Sequence, residues 1–120
     1  MIVMTDAHAG ARNAASLAFI DKGAGNAKLR IFDAAALMLV EIPFDKPCGV
    51  IDKNKLILSA SKPGLIMETG AAAKASVYNG DGELAFSCDV SDSTGSAEIR
   101  LTTVSLLRGG KVALSSAVIG

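Results

Sequence analysis

Ala73-Lys74-Ala75-Ser76-Val77-Tyr78-Asn79-Gly80-Asp81-Gly82-Glu83-Leu84-Ala85-Phe86-Ser87-Cys88-Asp89-Val90 is the stretch that decides the fold. Ala73, Ala75 and Val77 alternate with Lys74, Ser76 and Tyr78. Beyond the turn, Leu84, Phe86, Cys88 and Val90 alternate with Ala85, Ser87, Asp89 and Ser91. A period of two sends successive side chains to opposite faces of a pleated strand, so each run predicts a half-buried strand. Asn79-Gly80-Asp81-Gly82 joins them, because Asn, Asp and Gly tolerate the positive φ of a tight hairpin turn. This reading places Leu84, Phe86, Cys88 and Val90 on the core face.

Working outward, the same grammar continues in both directions. Downstream, Ala97, Ile99 and Leu101 alternate with Glu98, Arg100 and Thr102. Arg108-Gly109-Gly110 then makes a turn, and Val112, Leu114 and Val118 are expected on one face of a closing strand. Upstream, residues 29–32 and 37–42 read as strands around Asp33-Ala34-Ala35-Ala36. Pro43 and Pro47 interrupt with Phe44 between them, so that piece reads as a loop or irregular edge. Residues 55–59 form a further strand, Lys62-Pro63-Gly64 a turn and Leu65-Ile66-Met67 a short strand.

The first part of the chain has a different period. Thr5 or Asp6 can cap a helix, an Ala-rich segment follows, and Gly23 and Gly25 end it, which predicts a helix over 5–22. Its apolar stripe is Ala14, Leu17, Ala18 and Ile20 with Phe19, while Arg12, Asn13, Ser16 and Asp21 face away. Gly10 weakens its first turn. About eight short strands over 28–119 then predict a mainly β fold, an antiparallel β-sandwich or jelly roll. The helix would pack on one face or lie against a neighbouring subunit.

Length and composition agree with this. The 120 residues suit a single domain spanning 1–120, without internal repeat or linker, and at 50% hydrophobic they can bury a core. Twelve basic residues balance twelve acidic ones, and the basic ones are scattered, so no field gathers nucleic acid or anionic lipid. Residues 1–6, Met-Ile-Val-Met-Thr-Asp, lack the basic and apolar regions of a signal peptide. The longest apolar stretch, 34–40, is far too short to span a bilayer. A soluble protein made in the cytosol is expected, with neither a nucleic-acid nor a membrane partner. Cys48 and Cys88 do not make a disulfide framework and read as buried free thiols, with no disulfide partner expected.

Chemistry-bearing motifs are few. His8 is the one histidine, and any Ser-His or Cys-His nucleophile pair would need it. Cys48 and Cys88 lack close companions for structural zinc. Asn79-Gly80-Asp81-Gly82-Glu83 resembles an acidic calcium loop only superficially and reads as the hairpin turn. Gly23-Ala24-Gly25-Asn26 follows a helix instead of preceding one, the wrong order for a phosphate loop, and Arg108-Gly109-Gly110-Lys111 joins two strands. The pairs Asp89 with Asp92 and Asp81 with Glu83 sit where solvated acids belong. No catalytic residue, cofactor or metal site is expected, and the chain does not read as an enzyme.

Several stretches together resemble a family of small tailed-phage and prophage proteins of about this length. Arg12-Asn13-Ala14-Ala15 matches its helix, and Gly25-Asn26-Ala27-Lys28-Leu29-Arg30-Ile31-Phe32 its first strand. Leu39-Val40-Glu41-Ile42-Pro43-Phe44 comes next, followed by Thr69-Gly70-Ala71-Ala72 and Val77-Tyr78-Asn79-Gly80-Asp81-Gly82. Glu98-Ile99-Arg100-Leu101, with residues 106–112, resembles its last strands. Ala34-Ala35-Ala36-Leu37 departs from it, since a Gly-containing turn is usual there, and the strands carry fewer aromatics. The resemblance implies a non-enzymatic virion-associated structural role, head decoration among its forms, and transfers no catalytic or ligand residues. It implies self-association or docking on other phage structural proteins, in the bacterial cytoplasm during assembly and then in the virion. Edge strands or the helix are the expected contact elements. Two other classes stay open at this point. One is a ligand- or carbohydrate-binding module using Tyr78; the other is a small enzyme.

Overall fold

In the computed structural model, residues 5–60 and 62–119 are described. The reading of the first four residues lies outside them. The fold is mainly β with one N-terminal helix, α1 (Asp6–Ile20). Among the described residues there are twelve strands. They are β1 (Lys28–Phe32), β2 (Met38–Pro43), β3 (Gly49–Asp52), β4 (Lys55–Leu58), β5 (Gly64–Leu65) and β6 (Gly70–Ala71). After these come β7 (Lys74–Tyr78), β8 (Leu84–Asp92), β9 (Ile99–Leu101), β10 (Ser105–Leu106), β11 (Lys111–Val112) and β12 (Leu114–Ile119). Eight of them form one sheet in the order β2-β1-β7-β8-β9-β12-β4-β3, and β10-β6 and β11-β5 make two short ribbons.

Residues 74–92 form the hairpin β7–β8, with Ala75 opposite Cys88 and Val77 opposite Phe86. A bulge then shifts the register, so Tyr78 faces Leu84 and Ala85 is the extra residue. This corrects the placement of Leu84. It stands 54% exposed on the outer face, while Ala85 and Phe86 pack against the core. The same physics corrects Val118. A shift between Leu114 and Ser116 in the pairing with β9 turns Ala117 inward and Val118 outward.

The strand pairs are antiparallel apart from β8 with β9, which run parallel with Val90 beside Ile99. The intervening turn is held by Asp92, whose Oδ1 accepts from the Thr94 N–H and hydroxyl, and by Ser91 Oγ, which accepts from Ala97 N–H. Residues 49–52, between the Pro-containing loop and the 55–59 strand, form β3, the far edge of the sheet. Beyond β2 the chain ties the two ends of the sheet together. Asp45 N–H donates to Ser59 O at 3.0 Å, and Ser59 N–H to Cys48 O at 2.9 Å. The sheet therefore curls around its inner face.

That inner face holds the core: Leu29 and Ile31 of β1, Ala75 and Val77 of β7, Ile99 and Leu101 of β9, and Leu56 of β4, all fully buried. Ile66, Leu106 and Val112 on and around the ribbons join the same cluster. Helix α1 packs on β3, β4 and β8. Its N-cap is Thr5, whose hydroxyl accepts the His8 N–H at 3.2 Å.

The inward face of α1 differs from the one expected. Asn13 and Ile20 are buried and Leu17 packs against the core, whereas Ala14, Ala18 and Phe19 are exposed. The pattern 10, 13, 17, 20 is a helical face in its own right. It wins because Asn13 finds partners: its Nδ2 donates to Asn54 O at 2.9 Å and Ile119 O at 3.3 Å. Both carbonyls belong to the β3–β4 turn and the end of β12. Gly10 serves the same docking, since a Cβ there would stand 2.4 Å from Asn54 Oδ1.

Candidate interaction surface

The polar side chains gather at the junction between the end of α1 and the β7–β8 turn. Lys46 places its ammonium 2.7 Å from Asp21 O and 3.1 Å from Gly23 O, neutralising the negative end of the helix. Asp21 Oδ1 accepts the Cys48 N–H at 3.1 Å. Asn79, 2% exposed, accepts the N–H groups of Asp81 and Glu83 on Oδ1 at 3.0 and 2.8 Å. Its amide donates to Glu83, which also pairs with Lys22 at 3.3 Å. Those hydrogen bonds, Asn79 first and Lys22 after it, hold the Glu83 carboxyl below the usual range. Gly80 N–H donates to Lys22 O, and a Cβ on Gly80 would lie 2.3 Å from Gly25 O, so the two turns meet backbone to backbone. The loop that resembled a calcium site is therefore a hairpin turn docked on a helix end.

The remaining candidates do not converge. His8 is exposed at the start of α1. Cys48 and Cys88 are free; Cys48 is buried and Cys88 half-buried. Burial pushes both thiols up to about 11, with Asp21 adding to the effect at Cys48 and Glu98 and Asp89 at Cys88. Lys74 and Asp89 pair with each other, and that hydrogen bond raises the Lys74 ammonium. Asp92 is lowered by its bonds to Thr94 and is engaged in its own turn. Among the described residues, no group of three or more His, Cys, Asp or Glu side chains is placed to hold a metal ion. None of the described helices is long and apolar enough to cross a membrane. Tyr78 is half-buried, and the Arg30 guanidinium covers its ring at 4.6 Å, so that face is closed to a stacking sugar.

What the surface offers is aliphatic. Leu107 is 68% exposed, Leu65 57% and Met67 40%, and backbone pairing sets the two segments that carry them side by side. Ile66 N–H donates to Gly110 O and Gly109 N–H to Ile66 O, which lays the 107–110 turn beside the segment 64–67. Two other apolar features are separate from it. Edge strand β3 exposes Val50 at 58%, and Val50, Ile57 and Val118 stand directly opposite one another on the outer face. A groove of about 480 Å³ runs beside α1, between Ala15 and Phe19 on the helix and Phe86 and Ile119 on the sheet. The sequence reading named edge strands and the helix as contact elements and missed the paired segments that carry Leu65 and Leu107. Their signal was present in the outward positions around buried Ile66, but the 107–110 turn reaches that segment only through tertiary pairing. No family model matches the chain, and no curated protein or solved structure matches it either.

Proposed function

We propose that this chain is a non-enzymatic structural or assembly subunit that works through protein–protein contacts, of the kind found in tailed phages and prophages. Head decoration, or another place in the virion, is the form that the resemblance implies. The observation that carries this reading is a division of labour among the side chains. The polar groups best suited to chemistry are engaged in holding turns and the helix, and both thiols stay protonated at neutral pH. Apart from Phe19, the large exposed hydrophobic side chains are non-aromatic, a surface suited to packing against protein. Such a subunit is present in the bacterial cytoplasm during assembly and in the particle afterwards.

Co-sedimentation with purified tailed-phage capsids tests the proposal. Saturable binding to the lattice is the expected result. A protein that stays in the supernatant with every capsid form tried, and whose gene has no capsid, protease or tail genes beside it, overturns it.

A further inference from the structure

The chain has four asparagines, at 13, 26, 54 and 79, and of these Asn79 alone precedes a glycine. In an Asn-Gly pair the backbone nitrogen of the second residue can attack the side-chain carbonyl carbon of the first, and glycine has no Cβ to hinder the approach. Both partners in that reaction are held where the end of α1 meets the β7–β8 turn. Asn79 Oδ1 accepts the N–H groups of Asp81 and Glu83 at 3.0 and 2.8 Å, which polarises Cγ towards a nucleophile. Gly80 N, the nucleophile, is masked, because its N–H donates to Lys22 O at 2.9 Å. That carbonyl favours the protonated nitrogen and opposes the anion that attack requires. Asn79 is also 2% exposed, so water has little access to it.

We propose that Asn79 is a deamidation site that the helix–hairpin junction keeps shut, and that becomes reactive when Lys22 O withdraws from Gly80. Gly80 N then loses its proton to solvent base and bonds to Asn79 Cγ. The Cγ–Nδ2 bond breaks and the nitrogen leaves as ammonia. Water opens the resulting imide at either carbonyl, giving aspartate or isoaspartate at position 79, so one water is consumed and one ammonia released. The product does not restore the old contacts. The amide that donated to Glu83 Oε1 is gone, and a second carboxylate stands beside that acid in its place. Conversion therefore loosens the junction for good. This chemistry belongs to the chain alone and stands apart from any capsid binding.

Peptide mapping of the full chain, aged in mildly alkaline buffer, reads the reaction. The tryptic peptide 75–100 holds Asn79 as its one asparagine, and amide-to-acid conversion raises its mass. Isomerisation at Asp81-Gly82 leaves the mass unchanged and does not interfere. A site that reacts only when open reacts in proportion to its open fraction, so the wild type should convert about ten-fold or more slowly than a synthetic 75–85 peptide. Lys46→Ala releases the Asp21 and Gly23 carbonyls without touching Asn79 or Gly80, and should speed conversion about three-fold or more. Ile99→Val weakens the core in another element and should leave the rate near that of the wild type. Circular dichroism checks that each variant is folded. A wild type as fast as the peptide, or a Lys46→Ala protein no faster than Ile99→Val, overturns the junction as the gate. In Asn79→Asp the Gly80 amide should exchange about five-fold faster or more. An unchanged Gly80 amide overturns the lasting release.

Discussion

At the scale of the residue, Asn13 shows how a polar side chain becomes a core residue. It is fully buried and donates to the Asn54 and Ile119 carbonyls. Asn13→Ala leaves both unpaired and should cost about 2–3 kcal/mol in chemical denaturation. A loss under half a kcal/mol would show that water reaches them. Ala36 is the opposite case. It sits at φ 66, where a Cβ is strained, after Asp33 has turned the chain by accepting the Ala35 and Leu37 N–H groups. Ala36→Gly should therefore stabilise the protein by roughly 0.5–1 kcal/mol, relief of strain exceeding the added unfolded-state freedom. An unchanged or lower Tm would refute the strain. The Cys48 thiol, raised to about 11 from an ordinary 9.0, links stability to alkaline pH. Because folding favours the protonated thiol, its contribution is complete below about 9 and declines as pH climbs towards 11. The loss is on the order of 2 kcal/mol. Melting curves of Cys48→Ala should fall less steeply than wild type over that window; parallel curves would remove the linkage.

At the scale of the element, the end of α1 and the β7–β8 turn act as one joint. Lys46 satisfies helix-end carbonyls, Asn79 closes the hairpin, and Gly80 lets the two backbones touch. Gly80→Ala drives a Cβ against the Gly25 and Lys22 carbonyls at 2.3 and 2.8 Å, and neither is a side chain that can swing away. It should destabilise the fold by about 1–3 kcal/mol. Amide exchange should quicken first in the last turn of α1 and at residues 79–83. Uniform acceleration across the sheet would mean that the joint is not a local unit. The strands themselves show what a bulge does. Leu84 and Val118 keep their strands and change faces, because one extra residue inverts every side chain beyond it.

At the scale of the whole molecule, the curled sheet and the helix share one cluster of buried side chains, running from Ile20 of α1 through Leu56 to Ile99. Deleting residues 1–20 should uncover the β4 end of that cluster, giving strong dye binding by exposed apolar surface and a broad, poorly cooperative melt. A truncated chain that melts sharply would show that the sheet stands alone. The sequence by itself determined the mainly β class, the N-terminal helix, the 79–82 turn and the core roles of Ala75, Val77, Ile99 and Leu101. Local periodicity and turn chemistry are properties of neighbouring residues, so they can be read without coordinates. Tertiary structure alone decided which face of α1 turns inward, because Asn13 is acceptable in a core only where Asn54 and Ile119 present carbonyls to it. It alone decided the parallel run of β9 beside β8, which depends on a turn and not on strand composition. It also laid the segment 64–67 beside the 107–110 turn, since hydrogen bonds between residues some forty positions apart leave no trace in a local pattern.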